Sequence, residues 1–324
     1  MNRARKNYIK ECGVSSLLTL NLGGYPQKVL LEGYKKDLPV VIALHGGPGS
    51  PVPFGVGCRG LFPEWTKRAV IVFWDQLGCG ANDYKIGDGF KIENFVDMTV
   101  DLITEIKARF PQNKLYLFGV SWGSMLALEA AVRVPEKLDG AFVYGQVLKN
   151  LFFNGEIKSA FFNAPLKVQG KIAKIFSDGA GCEYEILNKN LKTLYKLLNK
   201  YTNAYTNKNS KPAPVGKIVK GLLTSPDYTF KDFKAVALNG YRFNKTLWRE
   251  LLNLNLTPRL SELKIKYLLL QGDSDIITST QYVLNAAKSC NNQNVTVKVI
   301  KNSGHMPSAG AMEECFNALC EIIK

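Results

Sequence analysis

Two runs, Val40-Val-Ile-Ala-Leu44 and Val70-Ile-Val-Phe73, are apolar at every position. A strand with one wet face alternates apolar and polar residues, so short uninterrupted runs belong in a sheet covered on both faces. Leu115-Tyr-Leu-Phe118 and Ala141-Phe-Val-Tyr144 read the same way, and between residues 73 and 115 the stretch Phe95 to Phe110 carries apolar residues near helical spacing. Strand-helix-strand alternation specifies parallel neighbours joined by crossover helices. The earlier runs, Ser16 to Leu22 and Lys28 to Glu32, read as an antiparallel start to the same sheet.

The pattern changes near residue 147. From there to Pro258 the chain is rich in Lys, Asn and Leu and mostly helical, with breaks at Asp178-Gly-Ala-Gly181 and from Asn209 to Gly216. Strand-like text resumes at Lys266-Tyr-Leu-Leu-Leu270 and Val295 to Ile300, and a helical ending runs from Ala309 to Ile323. The expected organisation is an α/β core domain, 1–146 with 259–324, that has a mostly parallel central sheet and helices on both faces. A helical cap domain, 147–258, interrupts it. With 324 residues, 46% of them hydrophobic, there is ample material for such a core.

The net charge of +15 and isoelectric point of 9.4 raise the question of a nucleic-acid partner. Residues 147–258 hold 18 Lys and Arg against seven Asp and Glu. Their lysines recur singly among apolar residues, as in Leu191-Lys-Thr-Leu-Tyr-Lys-Leu-Leu-Asn-Lys200, which is the pattern of a solvated helix face. No recognition motif accompanies the charge, so no nucleic-acid partner is expected. No apolar stretch approaches the roughly 18 residues that cross a bilayer, and no membrane partner is expected. Glu11, Cys12 and Gly13 stand where a signal peptide would place its apolar core, and the seven cysteines are scattered without a C-x-x-C pair. These features point to a reducing cytoplasm, with neither a disulfide framework nor a zinc site.

The strongest local signal is Leu115-Tyr-Leu-Phe-Gly-Val-Ser121-Trp-Gly-Ser-Met-Leu-Ala-Leu-Glu-Ala-Ala131. Gly119, Ser121 and Gly123 form G-x-S-x-G between an apolar strand and an Ala-rich helix, the setting of a nucleophile elbow. A serine hydroxyl attacks only when a base takes its proton. The chain has two histidines, His45 and His305. The order Ser, Asp or Glu, His that goes with such an elbow selects His305, which follows the last expected strand. A carboxylate must hold the imidazole in its tautomer, and Gln271-Gly-Asp-Ser-Asp275 offers Asp273 and Asp275. Asp275 fits a G-x-x-D loop that points back to the site, and Asp273 remains the alternative. Leu44-His-Gly-Gly-Pro-Gly-Ser50 follows another apolar strand. Its Gly47 N–H and the Trp122 N–H are candidate donors to a developing oxyanion, with His45 orienting the loop.

With those positions in hand, the chain resembles the α/β-hydrolase superfamily over nearly its whole length. Within it, His45-Gly-Gly-Pro-Gly49, Phe73-Trp-Asp-Gln-Leu-Gly-Cys-Gly80 and Gly119-Val-Ser-Trp-Gly-Ser124 resemble the proline iminopeptidase family of serine peptidases. The middle motif departs from the usual D-Q-R-G-x-G-x-S, with Leu77 and Asn82 in place of Arg and Ser. The resemblance implies an aminopeptidase that releases an N-terminal residue, typically proline, from a short peptide without metal or organic cofactor. It also implies cap carboxylates that bind the substrate's amino terminus. Glu250 is the candidate for that role, although a cap this basic attracts an ammonium poorly. The same triad would serve an esterase, amidase or lactonase, and the basic block suits a small anionic substrate.

Overall fold

The computed structural model describes residues 1–149 and 151–324, and of residues 242 and 243 the backbone. Eight strands form one sheet: β1 (Val14–Leu22), β2 (Tyr25–Gly33), β3 (Val40–Leu44), β4 (Val70–Trp74), β5 (Leu115–Val120), β6 (Gly140–Tyr144), β7 (Tyr267–Gly272) and β8 (Val295–Ile300). Their order is β1-β2-β4-β3-β5-β6-β7-β8, with β1, β2 and β4 antiparallel neighbours and every later pair parallel. The fold is therefore the α/β arrangement that the apolar runs specify, antiparallel start included. All five residues of β3 and all five of β4 are buried.

Helices before β6 are α1 (Arg3–Glu11), α2 (Pro63–Thr66), α3 (Ile92–Arg109) and α4 (Trp122–Arg133). Between β6 and β7 come α5 (Gly155–Ser159), α6 (Leu166–Asp178), α7 (Tyr184–Tyr201), α8 (Val215–Leu223), α9 (Phe230–Ala237), α10 (Lys245–Asn253) and α11 (Arg259–Glu262). The chain ends through α12 (Thr280–Ser289) and α13 (Ala309–Ile322). Alternate side chains of β3 and β4 enter two cores. Val40, Ile42, Val70 and Val72 pack with Leu102 and Ile106 of α3 and Met125 of α4. Val41, Ile71 and Phe73 pack with Trp65, with Ile218 and Leu222 of α8, and with Cys315 and Leu319 of α13. Covering both faces is what permits strands without polar positions. No helix among the described residues is long and apolar enough to cross a membrane.

The basic N-terminus carries a helix that its composition did not announce. Arg5 of α1 is 7% exposed and donates to the carbonyls of Arg59 (2.5 Å), Gly221 (2.7 Å) and Gly57 (3.2 Å). Arg59 in turn holds both oxygens of Asp227 at 2.7 Å. One corner of the inserted helices is thus stitched to the core through buried, charge-assisted bonds. Nearby Glu32 is fully buried. Its Oε2 accepts the Gly60 N–H at 2.8 Å, and its Oε1 has no hydrogen-bond partner among the described residues.

Candidate active site

Ser121 sits between the end of β5 and the start of α4 with φ 51° and ψ −118°. That left-handed region costs a non-glycine residue on the order of 1–3 kcal/mol and marks a side chain held where the fold alone would not place it. The flanking glycines have a steric cause. A Cβ on Gly123 would lie 2.0 Å from the Leu44 carbonyl oxygen, and one on Gly119 would lie 2.5 Å from that of Gly123. The spacing therefore lets α4 start directly against the ends of β3 and β5.

Ser121 Oγ and His305 Nε2 are 2.9 Å apart, and His305 Nδ1 lies 2.9 Å from Asp275 Oδ2. His305 is 7% exposed and Asp275 1%. Asp275 Oδ1 also accepts the N–H groups of Ile277 (2.8 Å) and Thr278 (3.0 Å), and Oδ2 accepts the Thr278 hydroxyl at 2.6 Å. Burial alone would push this carboxyl up. The charge of His305 and the hydrogen bonds from His305 and Thr278 outweigh it and hold Asp275 below the usual carboxylate value. Asp273 goes elsewhere: it accepts the N–H groups of Asn302 (2.9 Å) and Ser303 (3.0 Å), fastening the loop that carries His305.

The other motif loops surround this series. Gly46 and Gly47 line the same cavity as Ser121. Gly47 has φ 123°, and a Cβ there would meet the Gly49 nitrogen at 2.6 Å. Trp122 opens α4, where backbone N–H groups lack intrahelical acceptors. Its indole N–H donates to Gln76 Oε1 at 2.7 Å. Gln76 also donates through Nε2 to the His45 carbonyl (3.2 Å) and through its backbone N–H to His45 Nε2 (3.0 Å). The accepting Nε2 leaves Nδ1 to donate to the Gly46 carbonyl at 2.9 Å. Burial pushes His45 down to about 4, so it is neutral. Gln76 thus joins all three motif loops, a role that its place in Phe73–Gly80 did not disclose.

In the departing motif, Leu77 is a core residue. Asn82 binds backbone, accepting the Lys28 N–H at 2.7 Å and donating to the Asp75 carbonyl at 2.6 Å. Asp75 itself accepts the Val56 and Ala81 N–H groups and the hydroxyl of Tyr228 from the inserted segment, at 2.8, 2.8 and 2.5 Å. Burial pushes its carboxyl up to about 6.

Glu250 is not brought to this site. Its Oε2 accepts the Ile92 N–H at 2.8 Å, satisfying a first-turn donor of α3, and it does not line the cavity. The inserted segment contributes differently. The backbone N–H groups of His305 and Met306 donate to the carbonyls of Ala204 and Tyr205 at 2.8 Å, and the Tyr205 ring lies 6.0 Å from the imidazole. A long-range backbone pairing of this kind has no sequence signature.

Ser121 and His305 open into a cavity of about 680 Å³. Its lining is largely apolar, and its charged members, Glu64, Lys217 and Glu313, are all exposed. None of the seven acidic residues of 147–258 lines it. No cluster of three His, Cys, Asp or Glu side chains suited to a metal occurs among the described residues.

An elbow serine, a histidine after the last strand and a carboxylate after the strand before it, on a sheet of this order, define a class of fold. A model of the α/β hydrolase fold family matches residues 39–309, and the chain belongs to that family. It is 26% identical over 277 residues to a probable aminopeptidase of Bacillus subtilis, YbaC, covering 83% of each chain. It is 32% identical over 148 residues to the proline iminopeptidase of Neisseria gonorrhoeae, a match covering 45% of this chain and 42% of that one. The crystal structure of a proline iminopeptidase from Mycobacterium smegmatis superposes with a TM-score of 0.63 at 17% identity, over 95% of this chain and 97% of that one, a likeness of fold.

Proposed function

We propose that this chain is a serine hydrolase that works through an acyl-enzyme, and that it releases an N-terminal residue from short peptides. The observation that carries the hydrolase reading is the unbroken series Ser121 Oγ, His305, Asp275 at 2.9 Å per step, opening on a cavity. His305 takes the Ser121 proton as Oγ attacks the substrate carbonyl, and Asp275 stabilises the imidazolium. The N–H groups of Gly47 and Trp122 hold the oxyanion. His305 then protonates the leaving group, and water, deprotonated by the same imidazole, releases the acid and restores Ser121. The residues of 147–258 act as a cap over this chemistry. The aminopeptidase assignment is supported by the relatives bearing that name and by this chain's loops His45–Gly49 and Gly119–Ser124, which resemble the proline iminopeptidase pattern, while the middle loop departs from it at Leu77 and Asn82. A substrate ammonium would find its carboxylates on the core side, at Glu64 and Glu313, since the cap's acids do not line the cavity.

That same absence favours a second reading, hydrolysis of an uncharged ester or amide. An α-ammonium beside Ser121 without a close counter-ion is costly to desolvate. Comparing proline p-nitroanilide, its N-blocked form and p-nitrophenyl acetate, with Ser121→Ala as the blank, separates the two. Serine-dependent cleavage of the free anilide and not the blocked one is the aminopeptidase result. Cleavage of the acetate alone keeps the serine chemistry and discards the peptidase.

A further inference from the structure

The cavity is far larger than a single small residue needs, since volumes of ~300–1,000 Å³ bury most of a drug-sized ligand and this one is about 680 Å³. Part of its wall belongs to the core, where Leu61, Phe62 and Trp65 line it together with Met312 and Phe316 of α13. The Trp65 and Phe316 rings stand 5.9 Å apart, and Trp65, 5% exposed, is wedged in place by Phe54 at 4.8 Å and Phe118 at 5.4 Å. Ile218 of α8 closes this wall from the inserted segment. The three charged lining side chains are all exposed and so mark the mouth. The other polar lining residues are Ser50 and Tyr195, both exposed, half-buried Tyr205, and the reacting pair itself. An apolar wall in the cavity that holds the nucleophile, with no charged lining side chain that is buried apart from the reacting histidine, selects for a substrate with matching apolar surface.

We infer that Leu61, Phe62, Trp65, Met312 and Phe316 form a site for an extended apolar group of the substrate, an alkyl or aromatic chain longer than one small residue, attached beside the scissile bond. This rests on the serine-hydrolase reading and adds the substrate class to it. Burying each further methylene adds about fourfold to transition-state binding when it is fully enclosed. The assigned residues therefore predict a kcat/KM that climbs with chain length until the cavity is filled.

The test is a series of p-nitrophenyl esters from acetate to decanoate, paired with acetate esters of longer alcohols so that acyl and leaving sides are separated. Alongside it, the native protein is titrated calorimetrically with octanamide and with acetamide. The expected result is a gain of at least about 100-fold from the two-carbon to the eight-carbon chain on one side of the ester. Met312→Trp, checked for folding by its melting transition, should cut the long-to-short ratio at least tenfold, and Phe316→Ala should move the optimum to longer chains. A flat or falling series in an enzyme that cleaves the acetate overturns the site while leaving the hydrolase intact. If no ester or anilide shows Ser121-dependent turnover, the hydrolase reading fails instead. Saturable octanamide binding that Met312→Trp abolishes would then keep the apolar site, and absence of binding would end it.

Discussion

The cavity has two unlike walls. Where Ser121 and His305 line it, hydrogen bonds behind them tie His305 to Asp275 and, separately, Trp122 through Gln76 to His45, on a backbone so crowded that methyl groups are excluded at Gly119 and Gly123. Elsewhere the lining is mainly apolar, with Leu61, Phe62, Trp65, Met312 and Phe316 from the core and Leu151, Phe152, Val215 and Ile218 from residues between β6 and β7. A bond-making wall tolerates errors of a fraction of an ångström, because hydrogen bonds and in-line attack are directional. An apolar wall needs only volume and shape, and it accepts many residues at modest cost. Chemistry and selectivity are thereby written in materials of different tolerance.

That contrast predicts a gradient of effects. Ser121→Ala should lower kcat by on the order of 10⁴-fold or more, and Asp275→Asn by about 10³–10⁴-fold, in pre-steady-state and steady-state turnover of whichever ester or anilide is cleaved. A tenfold loss in either would mean that the series is not the reacting unit. Gly123→Ala sets a methyl group against the Leu44 carbonyl and should destabilise by at least about 3 kcal/mol or prevent soluble expression, read from urea midpoints.

Glu32 tests whether complete pairing is what separates Asp275 from other buried carboxylates. Burial pushes it up to about 7 from an ordinary 4.5, so between those values the folded state keeps a proton that the unfolded chain has released. Stability should fall as pH rises through that window. Glu32→Gln should remove the fall and be more stable at pH 8 by up to about 3 kcal/mol, with little difference at pH 4, as followed by melting temperature. Equal pH slopes would contradict the assignment. Gln76→Leu, which unties Trp122 from His45, should cost about 10–100-fold in kcat with a smaller change in KM. The smallest effect belongs to the inserted wall: Val215→Ser should change kcat by less than about threefold and act mainly on KM.

Much of the sheet was legible because its strands are determined locally. Val40–Leu44 and Val295–Ile300 are strands to the residue, and apolar runs without alternation announced the two-sided cover. The elbow was legible because its glycines answer a steric demand within five residues. Gln76 and Tyr205 were not, since their partners lie tens to a hundred residues away and nothing in their neighbours marks them. Helix α1 was read as a basic terminus because Arg5 earns its burial only from the Arg59, Gly57 and Gly221 carbonyls, which folding supplies. Glu250 misled for a related reason: a carboxylate in a cap suggests an ammonium partner, whereas this one serves a backbone amide of α3.

The two backbone bonds from His305 and Met306 to Ala204 and Tyr205 have a consequence for motion. A lid hinged at that edge could not lift with these bonds intact without carrying His305 with it, so under the proposed mechanism opening and catalysis would be mutually exclusive there. Under that mechanism, traffic of substrate and product would be left to the side where Glu64, Lys217 and Glu313 meet solvent. The amides of residues 305 and 306 should accordingly exchange hydrogen at the pace of the inserted helices that hold them.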